Sequence, residues 1–338
     1  MERINFSTLV DASSSRFRLK PDDTCLLLGS CFTENIGRRL VDNKFRALVN
    51  PFGVLYNPQS IFSALSLLLR GVSDFRPFRE DDLFYASGLW RSWLYSSEFS
   101  ATSADECLSL VNESLLRATR MLSDLDVLFL TLGANHCYFL KNGHVAVANC
   151  HKQPAAMFEE CRLSVADILE QSRVLSGLLR LRPHLKIVFT VSPYRYAKYG
   201  MHENQISKST LFLAIDEIMK HYPDNCFYFP AYEIMTDELR DYRFYADDLL
   251  HPSQRAAAYI WDIFVEEWMS PEASAFVQEW NRVLLSLGHR PFNACTEEYR
   301  RFLTKLADKI STLRQKYPNF VFNNELDEIE SRLHESYK

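Results

Sequence analysis

The sequence predicts an α/β protein built on a parallel sheet, on three observations. Short runs such as TCLLL (24–28), Val127–Leu132 and KIVFTV (186–191) are dominantly apolar without alternation, as strands covered on both faces are. These runs alternate with stretches of helical spacing about five times along the chain. After Pro271 the character changes, and three helical stretches follow with no strand candidate between them.

The elements follow in order. Residues 1–22 are polar and irregular, TCLLL is the first strand, and Thr33–Val41 has helical spacing. RALVNPFGVLYNP (46–58) reads as a short strand running into a loop, with two Asn-Pro turns around a glycine, and Ser60–Arg70 as a helix. Between Gly71 and Ser103 aromatic residues alternate with turn formers, predicting an inserted hairpin or loop excursion over about 71–102. Ser103-x-x-Glu106 is a capping box for a helix to about 121. Then come the strand Val127–Leu132, a hairpin at Tyr138–Val147 turning at Lys141-Asn142-Gly143, and a helix over about 162–181. The strand KIVFTV, a helix over about 206–220 and the strand Cys226–Phe229 complete the pattern. The expected organisation is a sheet domain over 1–270 and a helical extension over 271–338, packed on that domain or on a second copy of the chain in a homo-oligomer.

Composition excludes several function classes. The chain has 338 residues, 47% hydrophobic and 24% charged, enough for one large core with an appendage. Its net charge is −5 and its basic residues are scattered among acids, which gives a nucleic acid nothing to grip. No apolar run approaches a membrane span and no leader is legible at the N-terminus, so a cytoplasmic protein with no membrane partner is expected. The eight cysteines form no CxxC pair and read as free thiols. His136, His144 and Cys150 stand at hairpin rather than ligand spacing, so neither a metal nor another cofactor is expected.

In a parallel sheet, ligands bind where the strands end at their carboxyl side. Ser30 follows the first strand, Gly53 lies in the loop after the second, Gly133-x-Asn135 follows the third, Ser192-Pro193 the fourth, and Asp248-Leu-Leu-His251-Pro252 comes after the fifth. This is the inventory of a serine hydrolase. A hydroxyl becomes a nucleophile when a histidine takes its proton, and a carboxylate fixes the histidine's tautomer. The backbone N–H groups of Ser30 and Gly53 and the amide of Asn135 are candidate oxyanion donors. Asp247 is the alternative carboxylate, one residue off the spacing. Asn149, His151, Ser192 and Tyr194 are the candidate substrate contacts, with a buried, satisfied His151 as the competing reading.

Plainer roles stand beside these. Ser30 is also a good helix cap, compatible with catalysis because a helix N-terminus favours an anion. Cys31 is expected to pack against the sheet as a small hydrophobe. Trp90, Trp93, Tyr95 and Phe99 offer either a sugar-stacking platform or a cover for the sheet edge.

The motif Gly29-Ser30-Cys31-Phe32 resembles the signature of the GSCFA family, within the wider SGNH (GDSL-type) hydrolase superfamily. Further blocks resemble it in order: NPFGVLYNP (50–58), TLG (131–133), VANCHKQP (147–154), FTVSPYR (189–195) and DELRDYRFYADDLLHPS (237–253), together spanning roughly 23–265. The resemblance implies a flavodoxin-like three-layer α/β/α fold, with Ser30 as nucleophile, Gly53 and Asn135 at the oxyanion hole, and His251 as base backed by Asp248. Leu28-Gly29-Ser30 lacks the aspartate of the Gly-Asp-Ser signature. The expected activity is an esterase or deacylase acting on a small acyl ester, such as an O-acetylated carbohydrate. The alternatives are an acyltransferase to a sugar hydroxyl and a non-catalytic carbohydrate- or protein-binding module.

Overall fold

The structure, a computed structural model, describes residues 8–13 and 16–336, so the first seven residues of the irregular N-terminal stretch lie outside it. Five parallel strands form the central sheet: β1 (Thr24–Gly29), β2 (Arg46–Val49), β5 (Val127–Leu132), β9 (Lys186–Val191) and β10 (Cys226–Tyr228). Their spatial order is β10-β9-β5-β1-β2, so the chain reverses direction beside β1 and opens a crevice at the carboxyl ends of β1 and β5. All six residues of β1 and of β5 are buried, which accounts for their dominantly apolar sequence.

Alternate residues of each strand supply two cores. On one face Leu26, Leu28, Leu128, Leu130, Ile187 and Phe189 meet α2 (Pro58–Ser73), α3 (Ala104–Met121), α4 (Val165–Gln171), α5 (Val174–Leu181) and α6 (Gly200–His221). On the other, Cys25, Leu27, Phe129 and Val188 meet α1 (Cys31–Asp42) and α8 (Gln254–Trp268). The expected helix over 162–181 breaks at Ser172-Arg173 into α4 and α5, and its first residue belongs to a strand. Helix α6 starts six residues before its expected position. Helix α8, absent from the sequence reading, is capped by Ser253 and buries Ala256, Ile260, Trp261, Phe264 and Trp268 along one side. Between β10 and α8, the short α7 (Ala231–Glu233) runs on as a π-helix over Ile234–Leu239.

Two small sheets lie outside the main one. The insertion forms the hairpin β3 (Phe84–Ala86) and β4 (Leu89–Arg91), joined by Ser87 and Gly88, both at positive φ as a two-residue hairpin turn requires. The second hairpin, β6 (His136–Leu140) and β7 (Val145–Val147), gains a third strand, β8 (Phe158–Arg162). Trp93 stacks on Phe84 at 3.6 Å, and Tyr95 is buried against Phe52, its hydroxyl donating to the Val111 carbonyl. The aromatic insertion therefore covers the body of the protein.

The tail packs on its own chain. Helices α9 (Pro271–Leu287), α10 (Glu297–Lys316) and α11 (Asn323–Glu335) share one apolar core with the α1–α8 face of the sheet. Trp280, fully buried, donates Nε1–H to the Asp42 carbonyl, and Lys44 lies over its ring while pairing with Glu325 at 2.5 Å. Because this core is continuous, the tail and the sheet should unfold together. Trp280→Ala should cost about 3–5 kcal/mol in a single denaturant transition seen by both far-UV circular dichroism and tail-specific hydrogen exchange.

Candidate functional site

The site begins where β1 ends. Gly29, at φ 153°, has no room for a side chain: a Cβ would sit 2.5 Å from the Thr131 carbonyl oxygen and 2.6 Å from Thr33 Oγ1. Ser30 then caps α1, its Oγ accepting from Phe32 N–H at 3.3 Å and its carbonyl from Thr33 N–H at 2.8 Å. Capping leaves its hydroxyl directed across the sheet edge, 2.9 Å from Ser192 Oγ at the end of β9. Ser30 and Ser192 are both buried, 1% and 0% exposed.

The Asp248 segment forms a tight turn with Leu249 at positive φ. Asp248 Oδ1 accepts from the N–H groups of Leu250 and His251, both at 2.9 Å, while Oδ2 takes Nδ1–H of His251 at 2.5 Å. With Nδ1 carrying its proton to the carboxylate, Nε2 of the neutral ring is the free base. Asp248 rather than Asp247 is thus the carboxylate that orients His251. The same bonds, the His251 N–H first, hold the Asp248 carboxyl down at about 2.

Tyr194 joins the two halves. Its ring lies 4.3 Å from that of His251, and its N–H points to Ser192 Oγ at 3.4 Å. Arg195 N–H donates to the Leu250 carbonyl at 3.1 Å, binding the β9 loop to the histidine loop. Burial, then the Asp248 carboxylate, raises the Tyr194 phenol above its ordinary range. Among the described residues no hydrogen bond joins Ser30 to His251; the Ser192 hydroxyl and the Tyr194 ring stand beside them.

Several assigned residues serve elsewhere. Gly53 does turn in the left-handed region, but its N–H is given to the Asn50 carbonyl at 2.7 Å, which removes it from an oxyanion hole. Asn135 is buried, with Nδ2 donating to the Leu163 carbonyl at 2.7 Å and its backbone N–H to Ser207 Oγ at 2.9 Å; of its amide hydrogens, one is thereby committed to the β8–α4 connection. His151 is 3% exposed, with Nε2–H on the Ser92 carbonyl at 2.9 Å and Nδ1 facing Ser97 Oγ at 3.2 Å. Its ring packs edge-on against Phe84 and Trp93, and burial lowers its pKa, so it is a satisfied histidine under the aromatic hairpin. Asn149 Oδ1 accepts the His151 N–H at 2.7 Å and shapes that turn.

Cys31 departs from expectation in the other direction. At the first position of α1 it is half-exposed, its Sγ 3.5 Å from the Tyr56 hydroxyl, and it shares the edge with Ser30 instead of packing on the sheet. Glu34 stands one turn on, its carboxyl raised by burial and then by the carboxylate of Glu98. Asn50, at positive φ, accepts the Gly29 N–H with Oδ1 at 3.0 Å and holds the end of β1.

The sequence reading misses one buried cation. Lys208 on α6 is fully buried and donates Nζ–H to the carbonyls of Gly133 and Ser192, both at 2.7 Å. Its signal is a lysine on the stripe Asn204, Ser207, Lys208, Leu211 and Ile215, where helical spacing calls for apolar residues.

The Asp248 turn makes a titration test. A carboxyl whose pKa is depressed by folding contributes stability that is complete above its ordinary value of 3.8 and drains away as pH falls through about 2. The amide proton shifts of Leu250 and His251, followed by NMR, should titrate with a midpoint near that lower value, and a midpoint at the ordinary value would contradict the turn.

Comparison with known families places these features. The family model described as the GSCFA family matches residues 24–264, from the first residue of β1 into α8, and the C-terminal domain model of GSCFA domain proteins matches 280–335. Comparison with curated proteins gives no match. The first model alone covers well over half the chain and includes Ser30, Ser192, Asp248 and His251, so the protein belongs to the GSCFA family.

Proposed function

We propose that the protein is a serine esterase or deacylase of SGNH type, hydrolysing a small acyl ester such as an O-acetylated carbohydrate through an acyl-enzyme on Ser30. The observation that carries the reading is the Asp248–His251 pair, whose ring lies against Tyr194 on the loop that brings Ser192 to Ser30. The strand order, 2-1-3-4-5 in chain order, is that of flavodoxin-like doubly wound sheets, with helices on both faces and the site at the switch point, which supports the finer three-layer assignment.

In this mechanism Ser30 exchanges its Ser192 partner for Nε2 of His251, which takes the hydroxyl proton as Oγ attacks the acyl carbon. Asp248 keeps Nδ1 protonated and stabilises the imidazolium. The imidazolium then protonates the leaving alcohol. Water then attacks the acyl carbon as it gives a proton to His251, and His251 returns that proton to Ser30 Oγ as the acid leaves. Gly53 has no N–H to spare, so the oxyanion donors are the Ser30 N–H and the remaining amide hydrogen of Asn135, aided by the positive end of α1. Burial of Ser30 argues for a slim acyl group. Glu34 and Glu98, acceptors on the same side, suit a hydroxyl-bearing alcohol.

Ser30→Ala should abolish labelling by a fluorophosphonate and lower aryl acetate turnover at least about 10³-fold, with the unfolding midpoint kept. Asp248→Ala should lower turnover by about 10²–10⁴-fold while Ser30 remains labelled slowly. A Ser30→Ala protein as active as wild type would overturn the serine mechanism. Product that forms only when a sugar hydroxyl is supplied would identify the acceptor as alcohol rather than water, making the enzyme a transferase.

A further inference from the structure

We propose that Lys208 is a positioning residue for Ser30, tying together the ends of β5 and β9 and setting a positive charge behind the serine. The inference rests on the hydrolase reading above.

Its basis is an unusual placement. Lys208 is fully buried, and among the described residues no carboxylate pairs with it. An unpaired buried ammonium is costly, whereas an apolar side chain of similar length would fill the same space without that cost. Its Nζ is spent on two carbonyls that both bear on the site. One belongs to Ser192, whose hydroxyl touches Ser30; the other to Gly133, which leads into Asn135. The same face of α6 holds two more loops: Asn204 Oδ1 accepts the Tyr196 N–H at 2.8 Å, and Ser207 Oγ accepts the Asn135 N–H at 2.9 Å. Holding carbonyls needs only a donor. A full charge does more, because in a poorly polarisable interior it favours the negative charge that develops as Ser30 attacks an acyl carbon.

That charge is lost within the neutral range, since burial pushes the ammonium down to about 7. The titratable group facing it is the Tyr232 phenol from α7, whose ring lies 5.5 Å from Nζ and which itself feels Arg195 and Asp237. Among the described residues its hydrogen bonds at the ends of β5 and β9 are to the two carbonyls, and Asn204, Gln205 and Ser207 on its own helix carry no charge. The neutral amine still donates to both carbonyls, so the charge is lost while the geometry stays.

The test is the rate constant for fluorophosphonate labelling of the full chain from about pH 5 to about pH 9.5, for wild type and Lys208→Met, with folding followed by circular dichroism. The wild-type rate should fall by about tenfold as pH passes through about 7 and on to 9. Lys208→Met should label about tenfold or more slowly than the wild-type maximum and lack the falling limb. A folded Lys208→Met that labels with the wild-type rate and profile overturns the inference and leaves the hydrolase reading standing. Should that variant not fold, the wild-type profile decides alone: a rate level from about pH 7 to about pH 9.5 overturns it. Failure of wild type to label at any pH overturns the hydrolase reading and this inference with it.

Discussion

Where β1 passes β5 at Gly29, the backbones approach so closely that only hydrogen fits beside the Thr131 carbonyl. That contact ends the strand and turns the chain into α1, with Ser30 as the cap. The parallel register, pairing Gly29 with Thr131 and Thr131 with Thr190, brings the carboxyl ends of β1, β5 and β9 level. Ser30, Gly133 and Ser192 therefore emerge side by side. A bulkier residue at 29 would force the strands apart and change the spacing of all three.

Two kinds of polar link then hold the loops over that edge. The exposed Asp248 link is local: the carboxylate folds its own turn and aims His251, in water, through bonds to Leu250 and His251. Buried links are long-range, as when Asn50 reaches Gly29, Ser207 reaches Asn135, and Lys208 reaches Gly133 and Ser192. Their partners are backbone groups at strand ends that the sheet no longer pairs, and a buried group of that kind must find a partner. The site is thus tied down beneath and solvated above, an arrangement suited to the proposed chemistry, in which a seated serine meets a histidine on the exposed face.

The tail answers a different requirement. The apolar core on the α1–α8 face of the sheet runs outward through Phe45, which meets Phe320 of the tail, and is too large to leave to water. Helices α9–α11 close it, and Trp280 anchors them with its indole N–H on the Asp42 carbonyl.

The sheet was legible in the sequence because burial on both faces leaves a one-dimensional trace: short, dominantly apolar runs in chain order. The Asp248–His251 pair was legible for a similar reason, its two members standing three positions apart in one local turn. Gly53 and Asn149 serve their own turns, and of the two readings of His151 the structure takes the buried, satisfied one, because a loop's address beside the sheet does not say where its N–H or ring points. Gly53 spends its donor within its own turn, and His151 is drawn under Phe84 and Trp93 by the aromatic hairpin. Cys31 faces the edge because its helix starts two residues after Gly29, at Cys31 itself, a matter of phase that composition does not encode. Lys208 is the plainest case: its place on an apolar stripe could be read from spacing, but its partners lie 75 and 16 residues away. Local sequence determined the strands, the caps and the turn that aims the histidine. Only the tertiary structure decided which buried polar groups meet at the sheet edge, because those groups are paired by closure of the layers and not by neighbours in the chain.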